Sequence, residues 1–311
     1  MASFLLKRFI AMIATILTIT TLTFILMKVI PGSPFNEERN TNETVQRNLE
    51  SYYHLDEPLY VQYVIYLKSI VTFDFGPSIK KPSESVNDLL ARGFPVSLEL
   101  GLISILIAVI SGILLGVMAA LRHNGLIDYI AMTIAVFGIS IPNFIFATLL
   151  IQQLAVNLKL FPTAMWTSPM HMVLPTIALA VSPMAIIARL TRSSMIEVLS
   201  QDYIRTAKAK GLSPFKIVFK HALRNALLPV VTILGTLVAS ILTGSFVIEK
   251  IFAIPGMGKY FVESINNRDY PVIMGTTVFY SIILITLLFI VDVAYRLLDP
   301  RIQLHQKGGK A

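Results

Sequence analysis

The residues of this chain that could carry chemistry fall into three groups, and the first is a glycine-rich tetrapeptide. Residues 256–259 read Gly-Met-Gly-Lys and resemble part of a phosphate-binding loop. Such a loop follows the pattern G-x-x-x-x-G-K-[ST], because its backbone amides cradle phosphates and its hydroxyl residue binds Mg²⁺. Here Ala253 stands where the first glycine is required, and Tyr260 where serine or threonine is required. We therefore expect no nucleotide or other cofactor to be bound by this chain.

The second group is the histidines. Their positions show neither the spacing of metal ligands nor an HExxH helix, and the chain has no cysteine. They are His54, His123, His171, His221 and His305. The sequence therefore predicts no metal site and no catalytic residue.

The third group is acidic residues in apolar segments, which are costly in a membrane and mark function by default. Glu99 and Asp292 qualify, although each lies near the end of its segment. Asp292 precedes Arg296 by one helical turn, so an interfacial ion pair explains it. Glu99 stays a candidate contact in a transport pathway.

The elements that must position these residues are apolar helices. Hydrophobic residues make up 55% of the chain and charged residues 14%, whereas charged residues are about a quarter of a soluble domain. About 20 apolar residues in a helix cross a bilayer, and six segments qualify. They are residues 9–30, 96–121, 129–156, 172–188, 226–248 and 272–298. The fourth is short and contains two prolines. We expect kinks at Pro142 and Pro175.

The basic residues give the orientation, since cytoplasmic loops are rich in lysine and arginine. Lys7, Arg8, Arg122, the loop 189–225 and the tail 300–311 fall on one side if the spans alternate. From residue 189 to residue 224 the loop carries eight basic residues and two acids. Both termini are therefore predicted to be cytoplasmic. This placement also accounts for the net charge of +8 without any nucleic-acid partner.

Residues 31–95 form the one sizeable segment on the opposite side. Within it, apolar residues recur at helical spacing, which predicts a short amphipathic helix on the membrane surface or capping the bundle. These residues are Leu59, Tyr63, Tyr66, Leu67 and Ile70. Trp166, the only tryptophan, lies in a short external loop, where it is expected to anchor the chain at the interface.

Small residues repeat every four positions in the second span, which predicts close packing against another helix rather than a transport role. They are Ser104, Ala108, Gly112, Gly116 and Ala120. Gly235 and Ala239 form a shorter version in the fifth span.

The cytoplasmic loop has clear start and stop residues. Ser200 is expected to cap a helix that runs to Lys210, and Gly211 suits the left-handed residue that ends it. Ser213 is then expected to cap a second helix that begins at Pro214 and continues into the fifth span.

The first loop helix has an unusually small face, which favours insertion into a cleft of another protein. Composition alone would favour a basic helix lying on anionic lipid. A lipid-binding helix, however, needs bulky apolar residues, and this one offers Thr206, Ala207 and Ala209. Arg205, Lys208 and Lys210 surround that face with positive charge.

This loop resembles the conserved cytoplasmic loop of ABC importer permeases, whose pattern is EAA, three residues, glycine, nine residues, then I-x-L-P. Residues 205–207 stand at the EAA position and Gly211 at the glycine. Two differences exist: Arg205 replaces the acid, and HALR at 221–224 replaces I-x-L-P, with the proline arriving as Pro229. The run HALRNALLP, which includes Asn225, is similar to the peptide, opine and nickel branch of the family. Other similar segments are 30–32, 74–76, 138–142, 252–256 and 299–301.

The resemblance implies a multi-pass protein of a prokaryotic cell membrane with the all-α type I importer permease fold. Residues 1–30 would be the first span, 31–95 an external segment, 96–299 the permease core and 300–311 a cytoplasmic tail. The chain would form half of a pathway for oligopeptides. Dipeptides, nickel chelates or opines are alternative cargoes. A transporter or channel that works without ATP, or a membrane enzyme, is the less expected alternative.

The resemblance also implies the partners. They would be a second, homologous permease, two ATPase subunits that hold ATP and Mg²⁺, and an external peptide-binding protein. The ATPase contact would be made by the first loop helix together with residues after it. The expected residues are Arg205, Thr206, Ala207, Lys208, Ala209, Lys210, Gly211, His221, Arg224, Asn225 and Pro229.

Overall fold

The computed structural model describes residues 2–29 and 43–298, and the regular elements in these ranges are helices. The chain divides into two compact units, Met1–Val96 with Pro255–Thr286, and Ser97–Ile254 with Leu287–Ala311. The segments 30–32 and 299–301 and the tail 300–311, which the sequence analysis singled out, lie outside the described residues. The side chain of Asp292 does as well.

The first unit contains the external segment. Its helices are α1 (Ala2–Val29), α2 (Glu43–Tyr52), α3 (Leu59–Thr72), the start of α4 (Val86–Leu121), α12 (Met257–Asn267) and most of α13 (Tyr270–Leu298). Tyr66 of α3 is buried against Phe24 of α1 and Val278 of α13, with Tyr63 and Ile70 packed around them. The amphipathic helix predicted in this segment therefore caps neighbouring helices with its apolar face.

A buried carboxylate links residues 78–80 to the start of α13 by hydrogen bonds. Asp269 accepts hydrogen bonds from the Ser78 hydroxyl and from the backbone amides of Ile79, at 3.1 Å, and Lys80, at 3.4 Å. Because a buried carboxylate is costly unless it is hydrogen-bonded, these donors specify the path of the chain before α4.

The second unit holds the remaining helices. They are the rest of α4, α5 (Leu126–Ser140), α6 (Asn143–Leu150), α7 (Pro169–Leu199), α8 (Asp202–Ala209), α9 (Pro214–Lys216), α10 (Leu223–Ala226), α11 (Leu228–Ile251) and the end of α13. The segments Ile151–Asn157 and Ile217–Ala222 are π-helical.

The small residues of α4 pack against α7. A Cβ atom on Gly112 would lie 2.7 Å from the carbonyl oxygen of Met184, and one on Gly116 would lie 2.6 Å from that of Ala188. Ser104 and Ala108 are fully buried. The predicted packing role of this stripe is confirmed. Gly235 likewise leaves room for Val291 of α13.

The predicted third span is a broken helix. The chain bends by 108° between α5 and α6, at residues 141–142, because Pro142 cannot donate the hydrogen bond that would continue α5. The kink expected at Pro142 is confirmed. By contrast, α7 runs without interruption through Pro175 and Pro183 and is 31 residues long, so the fourth span is longer than predicted.

Contacts within this unit show that the chain between α4 and α7 returns from one end of α4 toward the other. The paired positions on α4 and α7 rise together, 112 with 184 and 116 with 188, so the two helices run parallel. The Trp166 indole donates to the Glu99 carboxylate, at 3.4 Å, and Glu99 is about 33 Å along α4 from Leu121 at 1.5 Å per residue. The chain between α4 and α7 therefore crosses once. Five other described helices are long and apolar enough to span a bilayer, which gives six spans.

The second span begins earlier than predicted. Helix α4 starts at Val86 rather than at residue 96. Its first turns carry Asp88 and Arg92, which lower the local hydrophobicity, while Val86, Leu89 and Leu90 are buried in the first unit. This extension is stabilised by packing against protein.

Candidate functional site

The loop helix α8 is held on the second unit by its inner face. Ile204 is fully buried and Ala207 nearly so, and both pack with Met195 of α7, Ile217 and Ala222. From the sequence, Ala207 was expected to belong to the face offered to another protein. The structure places it in the core of its own chain instead.

The outer face of α8 is basic and otherwise small. Arg205, Thr206, Lys208, Ala209 and Lys210 are exposed. Arg205 lies 3.5 Å from Asp202, but both side chains are largely exposed, and such pairs contribute little stability. The charge of Arg205 therefore remains available to a partner.

The residues that end α8 adopt the predicted conformation. Gly211 has a φ of +73°, and its amide donates to the carbonyl oxygen of Lys208, at 3.0 Å. The next helix begins at Pro214, and the Ser213 hydroxyl accepts from the Lys216 amide, at 3.4 Å. The turn that orients α8 is therefore determined by local backbone chemistry.

The predicted start of α8 is wrong. Ser200 ends α7, where its hydroxyl donates to the carbonyl oxygen of Glu197, at 2.7 Å. The cap position of α8 belongs to Gln201, whose side chain makes no capping hydrogen bond. Residues Ile204 and Ala207 hold the helix through burial.

The segment after the turn packs back against α8. The Asn225 side-chain amide donates to the Tyr203 hydroxyl, at 2.8 Å, and so links α10 to α8. Arg224 is exposed, whereas His221 and Pro229 are half-buried. The structure thus brings Asn225 and α8 together and places Pro229 in the first turn of α11.

An aromatic pair close to the loop was missed by the sequence analysis. Phe215 is 70% exposed and Phe219 49% exposed, and their ring centroids lie 4.4 Å apart. Large exposed aromatic residues are typical of protein interfaces. Their spacing of four residues on a helix beside basic residues was the signal that could have revealed them.

Two other candidates from the sequence, Glu99 and the glycine-rich tetrapeptide, have a structural explanation. Glu99 is exposed at the external end of its span and accepts the Trp166 hydrogen bond. In the glycine-rich tetrapeptide, Gly256 precedes α12 and Met257 is a fully buried first residue of that helix. Residues 256–259 therefore form an ordinary helix start.

Comparison with known proteins places this geometry in a family. Residues 112–304 match the family described as binding-protein-dependent transport system inner membrane component. Residues 1–101 match the N-terminal component of the same transport systems. The two matches together extend over nearly the whole chain.

Several curated proteins are similar over their full length. A dipeptide transport system permease of Bacillus subtilis is 81% identical, covering 99% of this chain and 100% of that protein. An oligopeptide transport system permease of Haemophilus influenzae is 45% identical, covering 97% of this chain and 100% of that protein. A dipeptide permease of Lactococcus lactis is 43% identical, covering 98% and 100%.

Solved structures show the same fold. The MetNI methionine ABC transporter aligns with a TM-score of 0.57 at 21% identity, covering 68% of this chain and 96% of the matched chain. An amino acid ABC transporter aligns with a TM-score of 0.54 at 16% identity, covering 68% and 94%. The chain therefore belongs to the family of inner membrane components of binding-protein-dependent transport systems.

Proposed function

We propose that this chain is the permease subunit of an ATP-driven importer of short peptides, with dipeptides as the preferred cargo. The observation that carries the cargo is the 81% identity, over the full length, to a protein named as a dipeptide permease. The sequence alone predicted oligopeptides as cargo with dipeptides as an alternative, and this identity favours the reverse order. The relatives named for oligopeptides are about half as similar.

In this proposal the outer face of α8 docks on an ATPase subunit that holds ATP and Mg²⁺. Three features support it: α8 is anchored by Ile204 and Ala207, its basic outer face is exposed, and Gly211 sets its direction. Phe215 and Phe219 add an apolar surface close to the same loop. The second permease and the external binding protein complete the importer.

Uptake by intact cells tests the cargo. Cells that lack other peptide importers would express this chain with its partner subunits, and uptake of a labelled dipeptide would be measured against competing dipeptides, tetrapeptides and pentapeptides. We expect unlabelled dipeptides to compete far better than the longer peptides. Equal competition by pentapeptides would favour the oligopeptide alternative, and competition by a nickel chelate alone would exclude peptides as cargo.

Dependence on ATP tests the mechanism. Uptake should stop when the ATPase subunits carry a substitution of the lysine in their phosphate-binding loop, and those subunits should co-purify with this chain. Replacing Thr206 and Ala209 together by tryptophan should release the ATPase subunits, because both side chains are exposed on α8. The exposed Leu114, placed on a different helix, gives the matched control Leu114→Trp. Uptake that continues without the ATPase would favour a secondary transporter or channel.

A further inference from the structure

The first unit contains a cavity of about 470 Å³ outside the loop already described. Its walls come from α1, α3, the start of α13 and the chain around residues 74–79. Phe24, Tyr53, Tyr66 and Phe75 give it aromatic walls, and Lys28 and Asp74 contribute opposite charges. Small-molecule sites in proteins have this size and this combination of apolar walls and a few polar groups.

The Lys28 ammonium is held in place by neutral groups. It donates to the Gln62 side-chain carbonyl oxygen and lies 5.7 Å from the centroid of the Phe24 ring. The Gln62 amide nitrogen donates in turn to the carbonyl oxygens of Leu55, at 3.2 Å, and Glu57, at 2.6 Å. In the parts of the chain that the structure describes, no carboxylate lies within ion-pair distance of Lys28. A half-buried cation without a counter-ion favours binding of an anion.

The cavity is also lined by an exposed acid, Asp74, and by the buried hydroxyl of Tyr66. One carboxylate oxygen of Asp74 accepts from the Gly76 amide, at 3.2 Å, and the other has no partner within the described ranges. The Tyr66 hydroxyl is buried, and among the described residues it has no hydrogen-bond partner. Burial raises the pKa of Tyr66, and the neighbouring Tyr63 raises it further. The hydroxyl therefore stays protonated and can donate a hydrogen bond.

We infer that this cavity binds a short zwitterionic peptide with an apolar side chain, its carboxylate at Lys28 and its ammonium at Asp74. The inference rests on the proposed function and adds to it a substrate site in the external segment. Lys28 and Asp74 offer charges opposite to those of the two ends of a dipeptide, and the aromatic walls suit an apolar side chain. A phospholipid, whose phosphate would also pair with Lys28, is the rival occupant that the test below distinguishes from a peptide.

The test measures equilibrium binding to the complete transporter, purified without the external binding protein and placed in nanodiscs. The probes are labelled Phe-Leu, its C-terminal amide, which lacks the carboxylate, and its N-acetyl derivative, which lacks the ammonium. Phe-Leu should bind, and Lys28→Gln should weaken it by about tenfold or more, since a hydrogen bond to a charged group contributes about 1.5–3 kcal/mol. The amide should bind wild type and Lys28→Gln equally weakly. Asp74→Asn should weaken Phe-Leu but not the N-acetyl peptide.

Matched variants separate recognition from folding. Lys68 is exposed on α3, so Lys68→Gln should bind Phe-Leu like wild type. Lys28→Arg keeps the charge and should retain most of the binding. The thermal midpoint of each purified complex would be recorded, and the comparison of Phe-Leu with its amide on the wild-type transporter decides the matter if Lys28→Gln does not fold.

Three outcomes would overturn the inference: no binding of Phe-Leu to the wild-type transporter, equal binding of Phe-Leu and its amide, or a phospholipid in native mass spectra that is lost in Lys28→Gln. Failure of the proposed function looks different. In that case wild-type cells take up no dipeptide at all, whereas a wrong site leaves uptake intact and Phe-Leu binding insensitive to Lys28.

Discussion

Arg192 of α7 donates two hydrogen bonds to the carboxylate of Asp128, from Nε to Oδ1 at 2.5 Å and from Nη2 to Oδ2 at 2.6 Å. Asp128 is only 3% exposed, and it also accepts from the amide of Asn124, at 2.9 Å. The Nδ1 atom of His123 lies 3.3 Å away. The pair fixes the first turn of α5 against the end of α7, ten residues before α8 begins. The same end of α7 carries Met195, against which Ile204 and Ala207 of α8 pack.

Arg192→Met should destabilise the protein strongly, because it leaves a buried carboxylate without its main partner, a loss of about 3–5 kcal/mol. The double variant Asp128→Leu with Arg192→Met should recover much of that stability, since no buried charge remains. The thermal midpoint in detergent measures both effects. Glu197→Gln is the control, because Glu197 is an exposed residue of the same helix. A double variant no more stable than Arg192→Met would show that the ion pair is not the source of the effect.

Gly116→Ala should also destabilise the contact between α4 and α7. The new methyl carbon would lie 2.6 Å from both the Ala188 carbonyl oxygen and the Thr191 Cβ atom, and overpacking of this kind costs about 1–3 kcal/mol. We expect a lower thermal midpoint and less protein in the membrane. Leu114→Ala, at an exposed position of α4, should change neither quantity. An unchanged midpoint for Gly116→Ala would contradict the close approach of the two helices.

Features set by local backbone chemistry were predictable from the sequence. The left-handed Gly211, the Ser213 cap with Pro214 and the break at Pro142 follow from the conformations that these residue types allow. The small residues of α4 were also readable, because a stripe of glycine and alanine has few explanations other than close packing.

Features set by tertiary packing were not predictable. Serine commonly caps the start of a helix, yet Ser200 ends α7. Burial of Ile204 and Ala207 decides where α8 lies. The first turns of α4 carry Asp88 and Arg92 and were therefore assigned to the external segment. The cavity beside Lys28 could not be predicted from the sequence, since its walls come from segments more than 200 residues apart in the chain.

Glu99→Gln should leave dipeptide uptake within about twofold of wild type, as is usual for exposed positions. Glu99 is exposed and accepts from the Trp166 indole, and glutamine keeps an acceptor oxygen there. Initial uptake rates at several peptide concentrations would measure the effect. Trp166→Phe, which removes the donor, is the companion variant and should behave similarly. A large fall in Glu99→Gln alone would place the carboxylate in contact with the peptide.

Gly211→Val should reduce transport while leaving the protein folded in the membrane. A Cβ atom at position 211 would meet none of the described residues within 4 Å, so crowding is not the cause. The cause is the φ of +73°, which a β-branched residue adopts only at a cost of about 1–3 kcal/mol. Valine would therefore shift the turn and redirect α8.

Asparagine tolerates the left-handed region, so Gly211→Asn should transport nearly normally. Uptake, the amount of protein in the membrane and co-purification of the ATPase subunits would be measured together. Normal uptake by Gly211→Val would show that the direction of α8 does not control coupling, whereas equal loss in both variants would show that the glycine serves close contact with the partner instead.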